Sequence, residues 1–165
     1  METCRVWPQL MGLVQAGRLL RVTPEVPSAE MLSRGDACKM SAYGRPLHPW
    51  TCEPNARCLV EAMRADGDDW AVVGGFAIGP VAAYPVRHVW VRNGGLHFDP
   101  TWSRRITHFM PPADYRYRMV SITDFRYFAL PTSFPDREGL DYLTRQAATL
   151  GLELLENHPE ASGEP

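Results

Sequence analysis

The chain has 165 residues, 45% hydrophobic and 22% charged, with a formal net charge of −2 at pH 7. That length suits a single domain with its own core, and the charge balance gives no electrostatic reason to expect nucleic acid as a partner. Its four cysteines (Cys4, Cys38, Cys52 and Cys58) include no C-x-x-C pair, so neither a structural metal nor another cofactor is expected.

The first residues lack a basic start followed by an apolar core, because Trp7-Pro8-Gln9 interrupts the run. No stretch approaches the ~20 apolar residues of a membrane span. The expectation is therefore no membrane association and a reduced, cytoplasmic compartment, with export by a signal-less route as the alternative. From about Gln9 to Val22 the chain reads as a helix, with Leu10, Leu13, Val14, Ala16 and Leu20 on a broad apolar face and Pro8 in a first turn that tolerates it. Thr23-Pro24-Glu25-Val26-Pro27 ends it. Ser28 is placed to cap a short helix through Arg34, with Gly35 as its stop. Residues 36–51, carrying Gly44, Pro46 and Pro49, read as a long irregular loop, the kind that often bears function.

Thr51 to about Ala65 is the next predicted helix, with Thr51 as N-cap, Pro54 in the first turn, and Ala56, Leu59, Val60 and Met63 at helical spacing. Asp69 to Ile78 reads as a valine-rich strand whose Gly74-Gly75 predicts a bulge or a close backbone approach. A Pro-flanked loop at 79–85 leads into a hairpin, Val86–Arg92 and Leu96–Thr101. Further strands are expected at about Tyr115–Ile122 and Phe125–Leu130. Asp136 to about Leu155 reads as a terminal helix with a break point at Gly151. The whole is an α+β domain over residues 1–158: N-terminal helices, a central helix carrying a cysteine at its start against an antiparallel sheet, and a C-terminal helix. Residues 159–165 are expected to be a flexible tail.

Cys52 opens its helix. A thiol attacks as the thiolate, and the partial positive charge of a helix N-terminus favours that anion. The exposed N–H groups there can also stabilise an oxyanion. Glu53 opposes thiolate formation unless it points outward. Cys58, six residues on, lacks the terminal position and reads as core. Cys38 falls in the predicted loop.

The hairpin supplies the other two groups. If Asn93-Gly94 forms a two-residue type I′ turn, Val91 faces Leu96, Trp90 faces His97 and His88 faces Asp99. Directly paired side chains lie about 5 Å apart on one face, so Asp99 can accept from one imidazole nitrogen and leave the other for the sulfur. A loop at Gly94-Gly95 instead pairs Trp90 with Asp99. His97 is the second candidate base, whereas His48 and His108 lie in loops with no mapped partner. The Arg104-Arg105 and Tyr115–Arg118 stretches read as solvated surface rather than a nucleic-acid site.

These segments resemble the papain-like thiol hydrolase superfamily in its transglutaminase-like arrangement. The resemblance rests on Cys-x-x-Asn-Ala at Cys52–Ala56, Gly-Phe-Ala at Gly75–Ala77, His-Val-Trp-Val from His88 and Asp-Pro-Thr-Trp from Asp99, in that order. It covers about Thr51 to Trp102 and fits a bacterial and phage branch. It implies Cys52 as nucleophile, His88 as base and Asp99 as orienting acid. Asn55 matches the branch motif, tying the helix start to a neighbouring loop. Trp90 and Trp102, with Trp50 and Thr51, are supporting or substrate-site candidates. No glutamine precedes the cysteine as an oxyanion donor; Ser41, Tyr43 and Thr51 are the candidates for that place.

The expected activity is acyl chemistry on a protein or peptide, or on a small amide or ester, through a thioester. Hydrolysis, deamidation and transfer all fit. The competing expectation is a non-catalytic binding module or inhibitor on the same scaffold, since five tryptophans and six tyrosines could equally serve an interface.

Overall fold

A computed structural model of the chain describes residues 4–48, 51–80, 82–102 and 122–155. The described residues form an α+β arrangement of four α-helices and a five-stranded antiparallel sheet. The elements are α1 (Trp7–Gln15), β1 (Leu20–Val22), α2 (Ala29–Tyr43), α3 (Cys52–Met63), β2 (Trp70–Ile78), β3 (Val86–Asn93), β4 (Leu96–Phe98), β5 (Arg126–Ala129) and α4 (Asp141–Leu150).

The first helix is shorter than its apolar pattern predicts. Gly17 takes φ 70° just beyond α1, and the Arg18 N–H closes onto the Leu13 carbonyl. That left-handed cap turns the chain. Leu20–Val22 then pairs with β5 instead of extending the helix. Strand pairing with a segment over a hundred residues away overrides the local helical spacing.

The second helix is longer than predicted. Ser28 does cap it, its hydroxyl accepting from the Met31 N–H at 3.2 Å. Gly35 does not stop it, and α2 absorbs the first half of the expected loop before ending at Gly44, φ 70°. Gly35 serves packing: a Cβ there would lie 3.1 Å from Leu47 and 3.5 Å from Leu59, so the missing side chain lets α2 close on α3. The last helix begins later than expected, at Asp141, and Gly151 at φ 66° ends it.

The sheet order is β1-β5-β2-β3-β4, so β5 returns to lie between β1 and β2, and the sheet is not a simple meander. Most of the expected strand at Tyr115–Ile122 lies outside the described residues, as do Arg104, Arg105 and His108; Ile122 opens a short 3₁₀ turn. The sheet has two buried faces. Phe76, Ile78, Val89, Val91 and Phe128 join Leu59, Val60 and Met63 of α3 in the main core. The alternate residues Val73, Ala77, Trp90, Tyr127 and Ala129 form a second cluster with Ile122 and Phe125. Period-2 alternation thus places His88 on the same face as Trp90. Among the described residues, no helix is long and apolar enough to cross a membrane.

Gly75 makes the predicted close approach. It pairs with both His88 and Ala129 in the neighbouring strands. A Cβ there would lie 2.1 Å from the Phe128 carbonyl oxygen and 2.8 Å from the Trp90 ring. The nearest obstacle is backbone, which cannot rotate aside. Gly75→Ala is expected to destabilise the fold by about 2–3 kcal/mol, read by chemical denaturation. A change under ~0.5 kcal/mol would count against this packing account.

Candidate active site

Cys52 is the first residue of α3, with Thr51 as its N-cap. Helix geometry leaves the first N–H groups without intrahelical partners, and Pro54, within that first turn, has no N–H to satisfy. The Asn55 N–H makes the first helical bond, to the Thr51 carbonyl. The carboxylate of Glu53 is taken up by Arg57, whose Nε donates to Oε1 at 2.8 Å. Arg57 also donates to the Pro135 and Glu138 carbonyls, so it pins this charge pair to the chain before α4.

His88 and Asp99 are both fully buried and paired, Nε2 donating to Oδ2 at 2.8 Å. They meet by a different register from the one expected. Val91 faces Phe98, Arg92 faces His97 and Asn93 faces Leu96, so the turn is Gly94-Gly95. Among the described residues no non-glycine takes positive φ, whereas Gly94 has φ 59°. A type I′ turn needs positive φ at Asn93; a type II′ turn needs it only at its first central residue, which here is a glycine.

The resulting slip is two residues. It removes the direct His88–Asp99 pairing but keeps both side chains on one face, because the period is two. β4 stops at Phe98, so no β4 residue pairs with His88, whose ladder partner is Gly75 of β2 on the other side. The chain turns there, with the Thr101 and Trp102 N–H groups donating to Asp99 Oδ1 at 2.8 and 3.3 Å. That turn swings the carboxylate back onto the imidazole as a diagonal neighbour.

The carboxylate has a further donor that the sequence reading missed. Tyr127 on β5 gives its hydroxyl to Asp99 Oδ2 at 2.6 Å. No local pattern points to it, because β5 is far from the hairpin in sequence. Burial, then the Asp99 charge, holds the Tyr127 phenol well above its ordinary pKa, so it remains a donor. Burial pushes Asp99 upward, but the His88 charge and hydrogen bond, then Tyr127 and Thr101, outweigh it and hold the carboxyl below its usual range. Burial likewise pushes His88 down, but the Asp99 charge and hydrogen bond, followed by those of Cys52, raise it to about 9. The Cys52 thiol is thus close enough to the ring to influence its proton affinity. With Nε2 committed to Asp99, Nδ1 is the nitrogen left for it.

The tryptophans sort clearly. Trp102 lies flat on His88, ring centroids 3.7 Å apart at 3°, and Phe125 stacks on its far side at 4.0 Å. An indole face against an imidazolium favours the charged ring. Trp90 is buried and donates to His97 Nδ1 at 2.9 Å. His97 is thereby committed to Trp90, and burial, then Arg92, lowers its pKa; it is not placed to serve as the base. Trp50 lies outside the described residues.

Asn55 is fully buried. Its Oδ1 accepts from the His48 N–H at 3.2 Å and its Nδ2 donates to the His48 carbonyl at 2.6 Å, the tie to a neighbouring loop expected of it. The Thr51 hydroxyl is engaged by Lys39 and Asn55. Ser41 and Tyr43 are exposed on α2, not in a loop. Cys58 is buried and pushed up to about 11 by burial and then by Cys38, in keeping with a core thiol. Cys38 sits on α2 and is half-buried, as Cys52 is. Among the described residues no cluster of three His, Cys, Asp or Glu side chains could hold a metal.

Comparison with family models, with curated proteins and with solved structures yields no significant match to this chain.

Proposed function

We propose that the protein is a thiol-dependent acyl hydrolase or acyltransferase acting through Cys52, His88 and Asp99, with a papain-like, transglutaminase-like core. One observation carries the proposal: a fully buried imidazole, bonded to a carboxylate that accepts from four donors, lies within electrostatic reach of a cysteine at a helix start. Burying two ionisable groups is unfavourable unless they are paired and hydrogen-bonded. A pair arranged around a thiol has the form of an activated nucleophile.

In this mechanism the Cys52 thiolate attacks the carbonyl carbon of an amide or ester, forming a C–S bond and an oxyanion. The N–H groups at the start of α3 face that developing charge. Collapse breaks the C–N or C–O bond, and the His88 imidazolium gives its proton to the departing amine or alcohol. Water or an amine then attacks the thioester while His88 takes the proton back, and the thiolate leaves. Water gives hydrolysis or deamidation; an amine gives transfer. The substrate class proposed is a protein, a peptide or a small amide or ester.

Iodoacetamide separates this reading from a non-catalytic binding module. Cys52 and Cys38 are similarly exposed. At pH 6, where an ordinary thiol is mostly protonated, Cys52 is expected to alkylate at least about tenfold faster than Cys38, and His88→Ala to abolish the difference. Equal, slow labelling of both would favour the binding module.

A further inference from the structure

Lys39 is only 3% exposed, although lysine is seldom buried. It lies on α2, and its ammonium donates to Thr51 Oγ1 at 2.5 Å and to Asn55 Oδ1 at 2.7 Å. Both acceptors are neutral oxygens in the first turn of the helix that carries Cys52. Burial lowers the Lys39 pKa, the ordinary consequence of taking an ammonium out of water. Supporting two neutral oxygens is a weak return for such burial unless the orientation of those oxygens matters.

It matters at Asn55. An amide can present oxygen or nitrogen to a neighbour, and an ammonium can donate only to the oxygen. Lys39, together with the His48 N–H and carbonyl, therefore holds Asn55 Oδ1 inward and Nδ2 toward Thr101, where it donates to Oγ1 at 3.0 Å. Thr101 is the residue whose own N–H holds Asp99 Oδ1 at 2.8 Å. An unbroken polar chain thus runs from Lys39 through Asn55 and Thr101 to Asp99 and His88. It joins the start of the cysteine helix to the turn that carries the acid.

We infer that Lys39 is a positioning residue: through Asn55 and Thr101 it holds the start of α3 against the Asp99 turn, and so sets Cys52 against His88. The inference rests on the acyl-chemistry reading above, but its structural half stands apart from reactivity. Met matches the lysine stem in length and carries no ammonium, so Lys39→Met removes the orienting charge while filling the space.

The test uses the full chain, with iodoacetamide as the probe of Cys52 and NMR of the Thr101 amide proton and the His88 Nε2 proton as the probe of the link. Lys39→Met is expected to slow Cys52 alkylation about tenfold at pH 6 and to leave it nearly unchanged at pH 10, where an ordinary thiol is already deprotonated. Both NMR signals should shift. Thr101→Val, which removes the acceptor at the other end, should give the same pattern, and the double variant should be no worse than either single one. Additive losses, or a loss equal at both pH values, would mean that Lys39 supports only the packing of α2, and would overturn the inference. Should Lys39→Met fail to fold, Thr101→Val alone decides: wild-type alkylation and an unmoved His88 signal would overturn it. If wild-type Cys52 is no faster than Cys38 while Lys39→Met still moves the Thr101 and His88 signals, the acyl-chemistry reading fails and the link from Lys39 to Asp99 stands.

Discussion

Asp99→Ala is expected to be the most damaging substitution at the site, costing about 3–5 kcal/mol of stability by chemical denaturation and returning Cys52 to the alkylation rate of Cys38. The carboxylate takes hydrogen bonds from His88, Tyr127, Thr101 and Trp102, and removing it leaves all four donors facing an apolar gap. The histidine must then lose its proton or remain as a buried, unpaired charge. Either way the raised proton affinity disappears.

Asp99→Asn separates the two consequences. The amide oxygen can still accept from Thr101 and Trp102, so much of the stability should survive. Its NH₂ group must then face His88 Nε2 and Tyr127. Nε2 has to accept rather than donate, and the ring proton moves to Nδ1, the nitrogen meant for the thiol. The expected result is a loss of Cys52 reactivity as complete as in Asp99→Ala, with roughly half the destabilisation or less. An Asn variant that keeps wild-type reactivity would remove Asp99 from the machinery.

The second large effect is on pH dependence. The His88 pKa is raised to about 9 from an ordinary 6.5. A raised pKa means the folded state holds the proton more tightly, so this contribution is fully present below pH 6.5 and fades as pH rises through 9. The difference is on the order of 3 kcal/mol. Asp99 is shifted down from 3.8, so its contribution is present above that value and is lost as pH falls through the depressed folded value. Stability from the pair should therefore plateau between about pH 4 and 6.5 and decline on both sides. Denaturant midpoints across pH 3–10 measure this, and His88→Gln should flatten the alkaline limb. A wild-type alkaline limb no steeper than that of the variant would show that the imidazole is not held charged.

How far the sequence could be read differs from residue to residue. The helix at Cys52 was legible because its signals are local: an N-cap position, a proline in the first turn and apolar residues at a spacing of three and four. The hairpin was legible as a hairpin, but its register was not. Asn93-Gly94 and Gly94-Gly95 are both good turn pairs, and a one-residue difference in turn placement moves the register by two. α1 and α2 were misjudged at Gly17 and Gly35 for opposite reasons. One glycine turns the chain into a strand through a positive φ; the other sits inside a helix so that a neighbour can approach.

Face parity is what the sequence by itself determined at this site. Side chains alternate along a strand, so His88 and Asp99 stay on one face under either register, and the reading of the pair survived an error in the turn. The tertiary structure alone decided what stands behind them. Tyr127 reaches Asp99 because β5 inserts between β1 and β2. Lys39 reaches Asn55 because α2 runs on through Gly35 and packs against α3. Both are contacts between segments distant along the chain. Hydrogen-bond partners of that kind leave no periodicity or spacing in the sequence, because their geometry is set by how whole elements pack.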